Sequence, residues 1–530
     1  MRSRGVVAAA VLSSALVSGG WLMERGTIAH GPLDAAAGAR LFDEVLTHVK
    51  RDYVDTLPDS LLYRNAVRGL IGELHDPHSV FLDPKRLSRL DESTSGHYAG
   101  VGIQMDVRDS GITVVATLHG TPAEQAGMES GDRIVEIDGK ATHGLTSDEA
   151  LKTLRGPAGT SVRVGVERPG VETPLSFTLT RREIQVNPVQ HALMLGDGIG
   201  YVDLTIFSAD AAVDLARAAD SLRAAGATSL VLDLRGNPGG LLDQGIGVAD
   251  LFLDPGQAIV STRGRTADEN RSFPDRAAQR WPTMPLIVLA DSNSASASEI
   301  VAGALQDHDR ALVLGTATYG KGSAQRIFRL DDGAVKLTTA LWYTPSGRSI
   351  NRPRPDPSLA DEQDEVTGPA RADTSKPRPA FKTDAGRTVL GGGGILPDVV
   401  VPSRVATKAD SAMQTALGAK VVQFRNVLVD YAISLKASRA ITNPNFVVTP
   451  AMRDELYRRM QGRGITLDRA LFDGADSLVT RALTSQITRF VFGPQAEYAR
   501  QLREDADIAK ARELLRGTPT AAELIQRVRK

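Results

Sequence analysis

Ser292-Asn293-Ser294-Ala295-Ser296-Ala297-Ser298-Glu299-Ile300 follows an apolar run at 286–290 and opens a stretch of helical periodicity at 298–306. A serine at such a strand-to-helix junction faces unpaired backbone N–H groups and the positive end of the helix. Both would stabilise an alkoxide or an oxyanion, so Ser296 is a candidate nucleophile. Ser296-x-x-Glu299 is also a capping box, an ordinary structural use of the same two residues.

A nucleophilic serine needs a base. The chain has nine histidines. His308 lies twelve residues along the expected helix from Ser296, roughly 18 Å away at about 1.5 Å per residue. His75 and His78 flank Asp76-Pro77 and read as turn residues. A Ser-His-Asp triad therefore has little support. Lys321 is better placed, in Gly315-Thr316-Ala317-Thr318-Tyr319-Gly320-Lys321-Gly322 after the apolar run at 311–314. The flanking glycines allow close backbone approach. An ammonium turned into a pocket loses its proton more easily because burial disfavours the charge, and a neutral amine can accept the serine proton. A solvated loop lysine is the plain alternative. Gln325, four residues on, could orient the amine. Asp233-Leu234-Arg235-Gly236-Asn237-Pro238-Gly239-Gly240 ends another strand in a glycine turn whose exposed amides suit an oxyanion hole, or form an ordinary Asn-Pro-Gly turn. Gly315 to Lys321 also fits the start of a phosphate-binding loop. Gly322 stands where that loop needs Ser or Thr, however, and 323–330 alternates like a strand rather than a helix.

The elements that must hold these groups fall into blocks. The chain has 530 residues, 42% of them hydrophobic, enough for several cores. A formal net charge of −1 with no basic stripe argues against nucleic acid as a partner. The lack of cysteine excludes disulfides, thiolate chemistry and cysteine-based metal sites. Residues 1–24 run basic, apolar and small, as a secretory signal does, and reach far enough to serve as an uncleaved anchor. The chain is thus expected to be exported, to a periplasmic or membrane-anchored position. Residues 33–96 read as helices. Residues 97–182 read as short strands with two helices, plausible as a small, partly open barrel. Residues 183–405 alternate strand and helix, an α/β layered core. Within it, 352–384 is rich in proline and charge and reads as an insertion. Residues 406–530 read as amphipathic helices, with dimerisation, capping of the core and adaptor binding all open as roles.

Together these segments resemble the carboxyl-terminal processing proteases, also called tail-specific proteases. The resemblance rests on Ser-Ala-Ser-Glu at 296–299, Gly320-Lys321-Gly322 with Gln325, and Arg235-x-Asn237-x-Gly239-Gly240. Asp76-Pro77-His78-Ser79, the segment 343–350 and Gly394-Ile395-Leu396-Pro397-Asp398 extend it over roughly residues 38–402. It implies a ClpP/crotonase-like α/β protease core, with 97–182 as a PDZ domain. By the same resemblance Ser296 is the nucleophile, Lys321 the base and Gln325 its partner. Amides of Gly239 or Gly240 and of Ala297 form the oxyanion hole. Gly100-Val101-Gly102-Ile103 becomes a loop that holds a peptide carboxylate, and Arg155 a residue that senses substrate. No metal or cofactor is implied. The expected partners are protein or peptide substrates with free C-termini. The competing reading is an inactive PDZ scaffold on a protease fold.

Overall fold

The structure, a computed structural model, describes residues 34–108, 111–352, 378–401 and 406–529. The expected export segment, 1–24, and most of the 352–384 insertion lie outside the described residues. The chain divides into two units after Phe81. In the first, helices α1 (Ala35–Asp52) and α2 (Asp59–Gly72) bury none of their residues. Asp34 caps α1, and Pro58 sets the turn into α2. His75 adopts a positive φ, and Asp76 accepts bonds from the His78 N–H and the Ser79 hydroxyl, the turn expected from the sequence.

The larger unit begins with α3 (Pro84–Ser95), capped by Asp83 with proline in its first turn. Next comes the small β domain. Its strands β1 (Ile103–Arg108), β2 (Gly111–Thr117), β3 (Arg133–Ile137), β4 (Ser161–Glu167) and β5 (Leu175–Thr180) lie side by side in that order. Helices α4 (Pro122–Gln125) and α5 (Ser147–Leu154) complete it. Val162, Val164 and Val166 alternate inward along β4, as a two-residue period requires. They join Ile112, Val114, Ile134 and Leu154 in one core.

The central sheet holds the catalytic candidates. Its strands are β6 (Val189–Gly196), β7 (Ile199–Leu204), β8 (Ser229–Asp233), β9 (Leu286–Ala290), β10 (Leu312–Gly315) and the short Val399–Val400, in that order. β6 is antiparallel to β7, and the remaining pairs are parallel. The sequences Ser-Leu-Val-Leu-Asp and Leu-Ile-Val-Leu-Ala are buried at every position, the mark of strands covered on both faces. One face packs on α6 (Ala211–Ala224), α7 (Leu242–Asp250) and α8 (Ala297–Asp307). α8 is buried along its whole length. Beside this layer, β11 (Ser323–Leu330) and β12 (Gly333–Tyr343) form an antiparallel pair.

The tail does two different things. Helices from Lys408 to Ile487 build a separate core around Met413, Val429, Leu456 and Phe472. Among them α9 (Val421–Ala437) touches the β domain, with Lys436 Nζ 2.8 Å from the Ser130 carbonyl. The final helices α10 (Pro494–Glu504), α11 (Ala506–Leu515) and α12 (Ala521–Arg529) instead cover the other face of the central sheet. Leu502, Ile508, Leu514, Leu515, Leu524 and Ile525 pack there against Ile199, Val231, Ile287 and Leu312. The sequence set 406–530 apart as a helical extension; its last three helices are a layer of the α/β core.

Candidate active site

Ser296 stands immediately before α8, with φ 55° and ψ −114°. A non-glycine residue is costly there, on the order of 1–3 kcal/mol, and such strain concentrates at functional positions. The sharp turn leaves Ser296 half-buried while Ala295 and Ala297 on either side are buried. Ser296 and Glu299 form the expected capping box, in which the Ser296 N–H donates to Glu299 Oε2 at 2.8 Å. The Glu299 N–H goes to the Ser296 carbonyl at 2.9 Å.

Glu299 does more than cap. It is fully buried and accepts four hydrogen bonds. Oε2 takes the N–H of Ser296 and that of Lys321 at 2.9 Å. Oε1 takes the Thr318 hydroxyl at 2.5 Å and the Gly320 N–H at 2.7 Å. Burial pushes its carboxyl above the usual range, with the four donors opposing that rise. The segment before Ser296 is tied to the same loop a second time, since the Tyr319 N–H donates to the Ser294 carbonyl at 3.0 Å. The backbones of Ser296 and Lys321 therefore meet on one carboxylate, though 25 positions of sequence separate them. The sequence displayed Glu299 only as a local cap.

Lys321 is half-buried in the loop between β10 and β11. The strand that follows it, in place of a helix, removes the phosphate-loop reading. Gln325 sits beside a bulge at the start of β11, its NH2 group bonded to Ser323 Oγ at 2.8 Å and Thr338 Oγ1 at 3.3 Å. That arrangement leaves Oε1 as the atom able to face an amine. His308 ends α8 with both ring nitrogens engaged, one by Asp384 and one by the Ala258 carbonyl, each at 2.7 Å.

The glycine turn lies against the serine. A Cβ on Gly239 would sit 2.6 Å from the Ala295 carbonyl, 2.8 Å from Ser296 Cβ and 2.9 Å from the Ala297 nitrogen, and its φ is +96°. Only glycine fits such an approach. Gly240 is pressed equally close to the Phe207 carbonyl. The Gly239 N–H donates to Asn237 Oδ1 at 2.9 Å. Asn237, fully buried, also gives its amide to the Leu204 carbonyl at 2.6 Å. Its own carbonyl accepts from the Ala295 N–H at 3.0 Å and the Ser298 hydroxyl at 2.9 Å. Gly239, Ser296 and Ala297 are thus brought together, with Asn237 as the joint.

In the β domain, Gly100-Val101-Gly102-Ile103 turns into β1, whose only strand partner among the described residues is β2. Gly102 has φ +78° and lies against Thr121, while Val101 is in the core. Arg155, the C-cap of α5, donates to Glu92 Oε2 of α3 at 2.5 Å and stands over the Tyr98 ring at 4.8 Å. Gly100 packs against that ring, so the loop and Arg155 are neighbours.

A model of peptidase family S41 matches residues 198–359, which span the glycine turn, Ser296, Lys321 and Gln325. A carboxy-terminal-processing protease of Bartonella bacilliformis is 43% identical over 327 residues, covering 61% of this chain and 74% of that protein. The chain belongs to peptidase family S41. The carboxy-terminal processing protease CtpA of Bacillus subtilis is 34% identical over 336 residues, 63% of this S41 chain and 71% of its relative. A carboxyl-terminal-processing protease of Synechocystis is 39% identical over 318 residues, 58% and 73% of the two lengths. A PDZ domain model matches residues 113–168 of this peptidase, from within β2 to just past β4. The resemblance drawn from the motifs therefore holds, as does the architecture of an α/β peptidase core carrying a PDZ domain.

Proposed function

We propose that this chain is a serine endopeptidase that processes or degrades exported proteins from their C-terminal ends, using Ser296 and Lys321. The observation that carries the reading is the single Glu299 oxygen that receives the amides of both residues. Ser296 Oγ attacks the peptide carbonyl carbon and its proton passes to the neutral Lys321 Nζ. The carbonyl oxygen becomes an oxyanion held by the amides of Gly240 and Ala297, the Gly239 N–H being given to Asn237 Oδ1. Collapse breaks the C–N bond as Lys321 returns the proton to the leaving amine. Water then attacks the ester, Lys321 takes its proton, and Ser296 regains it as the acid product leaves. Gln325 Oε1 orients the amine. The PDZ domain takes the substrate C-terminus as an added strand on β1, with amides of the Gly100–Ile103 loop on its carboxylate. Residues 1–24 direct the enzyme out of the cytoplasm, by cleavage or as an anchor.

The test is degradation of casein and of peptides with varied C-termini by wild type, Ser296→Ala and Lys321→Ala. Loss of more than about 1000-fold in both variants is expected, and equal activity in all three removes the dyad. The inactive-scaffold alternative predicts peptide capture without cleavage by the wild type.

A further inference from the structure

The oxyanion turn begins at Arg235, and the guanidinium of Arg235 is held from outside the S41-matched region. Its Nη1 donates to Asp505 at 2.8 Å and to Asp507 at 2.9 Å, at the junction of α10 and α11. Nε and Nη2 go to Asp233, at the end of β8, the latter at 2.6 Å. Asp233 also accepts the Tyr201 hydroxyl at 2.8 Å, and Tyr201 bonds Tyr498 of α10 at 2.5 Å. Tyr498 continues to Asp203 at 3.0 Å and stacks on His191 with ring centres 3.5 Å apart. The last helices thus grip both the strand end and the first residue of the turn. From there the chain runs through Asn237 to Gly239 beside Ser296.

Three carboxylates around one guanidinium make a poor device for stability alone. Each costs desolvation, and they repel one another. Burial raises the Asp507 carboxyl above the usual range, Arg235 opposes this and Asp505 adds to it. What three carboxylates on several sides do well is fix a planar guanidinium in one orientation. Asp505 uses its other oxygen to cap α11 through the N–H groups of Asp507 and Ile508, so the grip is anchored to a helix end.

We propose that Asp505 and Asp507 are positioning residues of the active site, holding through Arg235 the turn whose amides receive the oxyanion. This rests on the protease reading above.

The test uses the full chain with Asp505→Asn and Asp507→Ala combined; asparagine keeps the helix cap while both charges are removed. Three quantities are measured beside cleavage of a C-terminally tagged peptide: thermal unfolding, PDZ affinity for a C-terminal peptide, and affinity for a peptide boronic acid that mimics the tetrahedral adduct. A kcat about tenfold lower, KM within about twofold, unchanged PDZ affinity and a parallel tenfold weakening of the boronate support the proposal. Restoration of at least half the lost kcat by Asp505→Asn alone, with Asp507 kept, supports it further. Unchanged kcat overturns it. So does a loss accounted for by the unfolded fraction, with boronate affinity per folded molecule equal to wild type. If Ser296→Ala cleaves normally in the same assay, the protease reading itself has failed instead.

Discussion

Ser296 and Lys321 share one hydrogen-bond acceptor, Oε2 of Glu299, at 2.8 and 2.9 Å. A carboxylate can serve four donors because both oxygens only accept. Glu299→Gln puts an NH2 group against two of those donors. We expect kcat to fall about 100-fold and stability to fall by about 2–3 kcal/mol, the cost of buried donors left without a partner. Urea unfolding alongside peptide cleavage measures both, and a variant as active as wild type would show that the shared acceptor has no catalytic consequence.

Ser296 has a backbone conformation that glycine adopts without strain. Ser296→Gly and Ser296→Ala are both expected to be inactive, but the glycine variant should be the more stable by about 1 kcal/mol. Calorimetry of the two proteins decides this; equal or reversed melting temperatures would mean that the turn stores no strain.

Gly239→Ala places a methyl group within 2.9 Å of three atoms of the nucleophile segment. The turn must then withdraw from Ser296 and Ala297. Activity is expected to drop about 100-fold or more, by analogy with loss of an oxyanion donor, while PDZ binding of a C-terminal peptide stays at the wild-type level. Isothermal titration with that peptide provides the control.

Asp275 gives a dependence on pH. Burial, and then the neighbouring carboxylates of Asp250 and Asp254, push it up to about 6 against the bond from the Ala277 N–H. An acid raised in the folded state favours folding while protonated, so this contribution is present at low pH and is lost as pH rises towards 6. Asp275→Asn keeps a neutral group there. Its melting temperature should match wild type near pH ~4 and exceed it by about 2 °C or more above pH 7. A gap that does not change with pH would contradict the assignment.

Arg155 joins α5 to α3 through Glu92 and covers Tyr98 beside Gly100. If substrate arrival at the loop is sensed there, Arg155→Ala should lower turnover of long substrates severalfold and leave short peptides that bypass the PDZ domain unaffected. Unchanged turnover of both classes removes Arg155 from substrate sensing.

The serine junction, the lysine loop and the glycine turn were legible because each needs unusual backbone, which leaves glycine, proline and small residues at fixed places. The runs at 286–290 and 311–314 are apolar without alternation, and both became strands buried in the central sheet. Glu299 was only half legible. A spacing of three shows its reach to Ser296, but its partners at 318, 320 and 321 meet it only through the fold. The tail was the least legible. Leu502, Ile508 and Leu515 have the period of any amphipathic helix, which does not tell whether the apolar side meets another helix, a second molecule or a sheet some 300 positions earlier. Asp505 and Asp507 likewise look like ordinary solvated charges until Arg235 is beside them.

The placement of α10 to α12 sets an order of events during synthesis. When the ribosome has finished the strands from Ile199 to Gly315, one side of their sheet is still bare and oily, awaiting segments not yet translated. A nascent chain at that stage carries the glycine turn and Ser296 but neither Lys321 nor Gln325, and it lacks the layer that closes the sheet. That face closes only when the chain through Ile525 is available, so completing the core waits on the last-made helices.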